Sequence, residues 1–154
     1  MSGNTIFAST TPTDVPDLSL NVIVSDQTSG VIVSTDGGIQ LNSALVGGFA
    51  IVEITLLVDT PATATRAAVK DKVVARRRVF AANAVAQQAV ANWSISTVCV
   101  EPPGGPYTYH VVSQLVANNV NQVFVSGPPQ APPPSLPTPL NWLRGELTAT
   151  VINK

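Results

Sequence analysis

The sequence has little charge, few aromatic residues, one cysteine and one histidine. Of its 154 residues, 11% are charged and 5% are aromatic, whereas charged residues make up about 25% of an average globular chain. The surface is therefore expected to be unusually neutral. Because Cys99 is the one cysteine, the chain can form neither an internal disulfide nor a cysteine-rich zinc site.

Charge and hydropathy exclude two further classes of protein. The net charge is −1, so no overall basic field exists to hold nucleic acid through counterion release. The longest apolar run, from Ala50 to Val58, is interrupted by Glu53 and Thr55 and falls short of the 18 or so residues of a membrane helix. We therefore expect no specific nucleic-acid partner and no membrane insertion. The first residues also lack the basic and apolar regions of a secretory signal.

Most of the chain alternates between apolar and polar residues, which is typical of β-strands. The alternation is clear in residues 18–24, 50–58, 93–100, 107–115 and 146–152. The length fits one domain. We predict an all-β fold, a single jelly-roll or Ig-like β-sandwich of about 8–10 antiparallel strands. The sandwich would span residues 18–154, with a flexible arm at 1–17 and a proline-rich loop at 127–139.

Two local predictions are less direct. Asp36-Gly37-Gly38 follows a short apolar run and predicts a hairpin turn. Residues 60–91 are rich in alanine, lysine and arginine, which favour a helix, but they show no clean apolar stripe. We favour a strand at 72–82 followed by a loop at 83–89, with a helix as the alternative.

The positive charge is concentrated in one segment. Six of the eight basic residues lie within thirteen positions: Arg66, Lys70, Lys72, Arg76, Arg77 and Arg78. They could balance the acidic residues of the first 65 positions on a solvated strand, or form a contact surface for an acidic patch on a neighbouring subunit or for an anionic polymer. In a strand Arg76 and Arg78 share one face while Arg77 points to the other, so no single three-arginine patch is expected.

Few residues are suited to catalysis. His110 is the one histidine and is predicted to face solvent or an interface, while Cys99 has the phase of a small buried apolar residue. The nine carboxylates match no EF-hand or DxD pattern. We expect no enzyme, no metal site and no cofactor.

The aromatic residues suggest an alternative function. Tyr107, Tyr109 and Trp142, together with the proline-rich loop, could form an exposed platform for a glycan or receptor. Ile6 and Phe7 could anchor the N-terminal arm to a partner, or add a strand to the domain's own sheet.

Several segments resemble a known family. A strand from Trp93 to Val100, then Glu101-Pro-Pro-Gly-Gly-Pro-Tyr-Thr-Tyr, and a closing Leu147-Thr-Ala-Thr-Val-Ile are similar to TNF/C1q-like jelly-roll domains. Such domains occur on bacterial spore surfaces, in exosporium and appendage proteins, and in phage decoration and fibre-head proteins. The resemblance covers residues 18–154 and implies a homotrimer with a structural or adhesive role. The chain has no Gly-X-Y stem of the kind that collagen-linked spore heads carry.

We therefore expect a non-enzymatic structural protein of a surface assembly. It would self-associate as a homo-oligomer, by resemblance a trimer, and would attach to a larger particle or filament at the surface of a spore or virion. A carbohydrate- or receptor-binding adhesion module at the tip of a fibre or particle is the alternative.

Overall fold

Two antiparallel sheets pack face to face as a sandwich. The structure is a computed structural model and describes residues 6–41, 45–64, 66–85, 89–125 and 145–154. Within these ranges there are nine strands and no helix: β1 (Ile6–Phe7), β2 (Thr13–Val22), β3 (Thr28–Leu41), β4 (Phe49–Thr60), β5 (Val69–Ala82), β6 (Val90–Cys99), β7 (Tyr107–Asn118), β8 (Val123–Val125) and β9 (Glu146–Asn153). The predicted all-β sandwich is confirmed.

Strand β3 is the centre of the five-stranded sheet. That sheet has the order β1-β8-β3-β6, and β9 pairs with β3 beside β8. The second sheet has four strands in the order β2-β7-β4-β5. The core lies between the sheets and follows the predicted alternation: Val52, Ile54 and Leu56 of β4 are fully buried, while Glu53 and Thr55 lie on the outer face.

The predicted hairpin at Asp36-Gly37-Gly38 is wrong. Strand β3 continues through these glycines and pairs Gly37 with Trp93 of β6. A Cβ atom on Gly37 would overlap the Trp93 ring, so the glycine is required because the ring lies against the backbone there. Trp93 is among the largest fully buried side chains, and Gly37 makes room for it.

The lysine- and arginine-rich segment is a strand. Strand β5 covers Val69–Ala82 and pairs with β4, which confirms the strand predicted at 72–82.

The N-terminal boundary differs from the prediction. Strand β2 starts at Thr13 and pairs with β7, and Ile6–Phe7 pairs with β8. Residues 13–17, assigned above to a flexible arm, therefore belong to the four-stranded sheet. The proline-rich segment at 127–139 lies outside the described residues.

Candidate functional site

His110 lies among three carboxylates on the outer face of the four-stranded sheet. Its Nδ1 atom is 2.8 Å from an Asp14 carboxylate oxygen. Its Nε2 atom is 3.4 Å from Asp71 Oδ1 and 3.9 Å from Asp59 Oδ1. We call His110, Asp59 and Asp71 the histidine–aspartate cluster; their ligand-type atoms all lie within 4.8 Å of one another.

Four different strands bring these residues together. Asp14 is in β2, Asp59 in β4, Asp71 in β5 and His110 in β7. The β4–β7 register pairs Leu57 with His110, which places Asp59 two residues further along the same face. Asp71 lies where the β4–β5 register shifts, and its φ of 53° is in the left-handed region that aspartate tolerates better than most residues. The register shift and the left-handed backbone at this point of β5 thus direct Asp71 towards His110.

The cluster opens into a groove with excess negative charge. The groove has a volume of about 460 Å³, and its ionisable lining residues are Asp14, Asp17, Asp59, Lys70, Asp71 and His110. The Lys70 ammonium contacts Asp59 Oδ2 at 2.8 Å, and the Asp71 backbone N–H donates to Asp59 Oδ1 at 2.9 Å. These two hydrogen bonds lower the pKa of Asp59. The hydrogen bond between Lys70 and Asp59 also raises the pKa of Lys70. The Asp59 carboxylate is therefore held in its ionised form.

The Nε2 atom of His110 has no hydrogen-bond partner and is shielded from solvent. A carboxylate can only accept hydrogen bonds, so the Nδ1 atom, next to Asp14, carries a proton. In the neutral imidazole Nε2 is then an acceptor. The polar atoms nearest to it are two carboxylate oxygens, which are also acceptors, so either a proton on Nε2 or a cation between the three atoms would complement them.

A second groove continues from the cluster along the same face. It has a volume of about 480 Å³ and shares Asp14 and Asp71 with the first. Leu57, Arg76 and Val112 are among its lining residues. The outer face of this sheet is thus concave, with acidic residues at one end.

The basic residues predicted as a contact surface have partners within the chain. Lys70 pairs with Asp59, Lys72 with Glu101, and both Arg76 and Arg78 pair with Glu53. Arg77 points the other way and donates to the carbonyl of Ser94 in β6 at 3.1 Å. The predicted split between Arg76 and Arg78 on one face and Arg77 on the other is confirmed. Four of the six cations therefore pair with acids, three of them with Asp59 or Glu53 of the first 65 positions, and a contact with a neighbouring subunit stays a prediction.

Arg66 stands apart from the other basic residues. It donates to the Tyr107 hydroxyl at 2.8 Å and to the carbonyl of Pro61 at 3.3 Å. Its guanidinium lies 5.6 Å from the centre of the Tyr107 ring, within the range of a cation–π contact. Arg66 therefore holds a buried tyrosine in place.

The predicted aromatic platform is wrong for its two tyrosines. Tyr107 and Tyr109 are both fully buried, because they lie on the inner face of β7 with Val111. The Tyr107 hydroxyl donates to the carbonyl of Pro102 at 2.6 Å. Trp142 lies outside the described residues, as do the side chains of Ile6 and Phe7.

Cys99 is buried between the sheets, as its phase in the sequence predicted. Burial raises the pKa of its thiol, and burial likewise raises the pKa of Tyr109 well above its ordinary value. Both groups stay protonated at neutral pH. Neither has the lowered pKa that a nucleophile requires.

The outer face of the five-stranded sheet is almost free of charge. On β3, β6 and β9 its central positions are occupied by Ile32, Ser34, Ser96, Val98, Thr148, Thr150 and Ile152. We call these seven residues the neutral face. Strand register places Ile32 between Val98 and Thr150, and Ser34 between Ser96 and Thr148. Asp36 and Glu146 lie next to each other at one end.

Comparison with known proteins gives no further guide to the site, since no family model, curated protein or solved structure matches the chain. In the part of the chain that the structure describes, no helix is long and apolar enough to cross a bilayer.

Proposed function

We propose that the protein is a non-enzymatic structural component that assembles with further copies of itself through the neutral face. The observation that carries this proposal is the composition of that face. It presents apolar and hydroxyl side chains over three adjacent strands, with Val98 61% exposed and Ile152 38% exposed. Depletion of charge is the compositional mark of the buried centre of an interface.

Hydrogen bonding within the sheet lowers the cost of covering this face. The Ser34 and Ser96 hydroxyls are 2.8 Å apart, and the Thr148 hydroxyl donates to the carbonyl of Ser34 at 3.4 Å. Polar groups that already have partners lose little when water is removed. Ile32 and Val98 between them add apolar area that gains from burial.

The absence of a matched nucleophile supports a non-enzymatic role. In the described residues, His110 Nε2 makes no hydrogen bond to a hydroxyl or thiol, and Cys99 is buried with a raised pKa. Nucleophilic catalysis needs a base within hydrogen-bond reach of its nucleophile.

The resemblance to TNF/C1q-like domains extends the proposal to a trimer on a spore or virion surface. The carbohydrate- or receptor-binding alternative has lost its main support, because Tyr107 and Tyr109 are buried.

A pair of surface variants tests the proposal. Val98→Lys combined with Thr150→Lys places a cation on each side of Ile32 and should shift the protein from oligomer to monomer in sedimentation equilibrium over a concentration series. Ile23→Lys is the matched control, since Ile23 is 73% exposed and is not on the neutral face; it should leave assembly unchanged. A wild-type protein that stays monomeric at high concentration, or equal dissociation by both variants, would overturn the proposal.

A further inference from the structure

We propose that the histidine–aspartate cluster is a binding site for a divalent transition cation of the Zn²⁺ class, with His110 Nε2, Asp59 and Asp71 as its protein ligands. One imidazole nitrogen and two carboxylate oxygens form a donor set that Zn²⁺ accepts. The site is independent of the neutral face, which lies on the other sheet.

The distances suit such an ion. With bonds of about 2.0–2.2 Å, the ligand atoms of a tetrahedral zinc ion lie about 3.3–3.6 Å apart. The separation between His110 Nε2 and Asp71 Oδ1 is 3.4 Å, and that between Nε2 and Asp59 Oδ1 is 3.9 Å. Because all three ligand-type atoms lie within 4.8 Å of one another, side-chain movements of about 1 Å would bring them to bonding distance.

Asp14 gives the site the outer-shell partner that zinc-binding histidines commonly have. A histidine ligand usually donates its second ring N–H to a carboxylate or carbonyl, which fixes the ring and its tautomer. The 2.8 Å contact between Nδ1 and Asp14 does this here and leaves Nε2 as the free donor atom for a metal. The Nε2 atom is shielded from solvent and has no hydrogen-bond partner, so an imidazole nitrogen is available as a metal ligand in addition to the two carboxylates.

The ionic surroundings also favour a cation. Asp14, Asp17, Asp59 and Asp71 line the groove against the single ammonium of Lys70. Lys70 is 80% exposed and contacts Asp59 through Oδ2, so it can move away when an ion binds. Asp71 is 67% exposed, which leaves water access to the remaining coordination positions.

The test is isothermal titration of ZnCl₂ into the full chain after treatment with a chelator. Asp71→Asn is the main variant, because asparagine also tolerates the left-handed backbone and keeps the shape while removing the ligand charge. It should weaken Zn²⁺ binding by at least the roughly 10–100-fold that loss of an outer-shell partner costs. His110→Gln should abolish binding.

Asp17→Asn is the matched control. Asp17 also has a positive φ, of 61°, and lines the same groove, but it is not a member of the cluster. This variant should bind Zn²⁺ within about twofold of wild type, because its carboxylate adds only long-range attraction. Circular dichroism should show the same strand content in all variants.

Lys70→Gln provides a test of opposite sign. The ammonium and the metal compete for Asp59, so this variant should bind Zn²⁺ more tightly than wild type.

Replacement of Zn²⁺ by Co²⁺ should give the intense visible absorption of a four-coordinate site, which Asp71→Asn should lose. No binding by wild type, equal affinity in wild type and Asp71→Asn, or weaker binding by Lys70→Gln would overturn the proposal.

Discussion

The outer faces of the two sheets differ sharply in charge. The strands of the four-stranded sheet carry most of the ionisable side chains of the chain: Asp14, Asp17, Glu53, Asp59, Lys70, Asp71, Lys72, Arg76, Arg77, Arg78 and His110. The strands of the five-stranded sheet carry Asp36 and Glu146. The few charged residues are therefore not spread evenly, because nearly all of those on strands belong to the four-stranded sheet, although Arg77 points towards Ser94 of β6.

This difference separates two kinds of surface chemistry. On the four-stranded sheet, opposite charges meet on neighbouring strands, as in the contacts of Arg76 and Arg78 with Glu53. On the five-stranded sheet, the Ser34 and Ser96 hydroxyls pair with each other and the Thr148 hydroxyl donates to a backbone carbonyl, so removing water from this face costs little free energy. The charged side is suited to holding an ion, and the neutral side to contact with another protein surface.

Chemical labelling of Cys99 tests whether the two sheets separate only when the whole domain unfolds, and it has the largest expected effect. Cys99 lies between them, so a thiol reagent should reach it only when they separate. Folding of ordinary stability should slow labelling about a thousandfold or more relative to the unfolded chain. Labelling with a chromogenic disulfide, with and without denaturant, measures this ratio.

The pH dependence of Cys99 has a definite sign. Because burial raises the pKa of the folded thiol, the unfolded thiol ionises first as the pH rises. The contribution of the protonated Cys99 thiol to the free energy of unfolding is complete below the ordinary thiol pKa of about 8.5 and is lost progressively as the pH rises above it.

Rapid stoichiometric labelling of Cys99 in the native protein at pH 8 would contradict the expected protection and show that the two sheets open independently.

Gly37 tests the interior of the five-stranded sheet. Gly37→Ala places a methyl group against the Trp93 ring and should lower the free energy of unfolding by about 3 kcal/mol, at the upper end of typical overpacking costs. Urea denaturation followed by tryptophan fluorescence measures the change. Gly30→Ala is the control in the same strand, since its Cβ would lie 3.5 Å from the nearest atom, an ordinary contact. Equal losses in both variants would contradict a steric role for Trp93.

Lys72 and Arg78 test the ion pairs of the four-stranded sheet and have the smallest expected effects. Lys72→Met leaves Glu101, whose side chain is only 4% exposed, without its cation and should cost about 1–2 kcal/mol. Arg78→Met should change the free energy of unfolding by less than about 0.5 kcal/mol, because its ion pair is exposed and Arg76 still forms an ion pair with Glu53. Urea midpoints compare the two, and a larger loss for Arg78→Met would reverse this order.

The sequence predicts the strands well because their signal is local. The alternation of Val52, Ile54 and Leu56 with polar residues marks the inner face of β4 without knowledge of its neighbours. The hairpin at Gly37-Gly38 failed for the opposite reason. A glycine that makes room for Trp93, 56 positions away, has the same local pattern as a glycine in a turn.

The histidine–aspartate cluster could not be predicted from spacing. Asp59, Asp71 and His110 belong to no short motif, and they meet only through the strand register of β4, β5 and β7. The available hint was that the one histidine lies on the polar face of its strand. The prediction that the tyrosines form an exposed platform was wrong because the alternating pattern of residues 107–115 does not state which face of β7 is covered.

The position of β9 has a consequence for folding during synthesis. Strand β3 ends at Leu41, yet its N-terminal half pairs with β9, whose first residue is Glu146. Until residues 146–153 leave the ribosome, the N-terminal half of β3 has no strand on the edge that β9 later occupies. Exposed edges of this kind attract other strands, and contacts over so long a separation form slowly. The nascent chain therefore passes through a period in which its central strand is open to pairing with neighbouring chains, and chaperone binding should be concentrated in that interval.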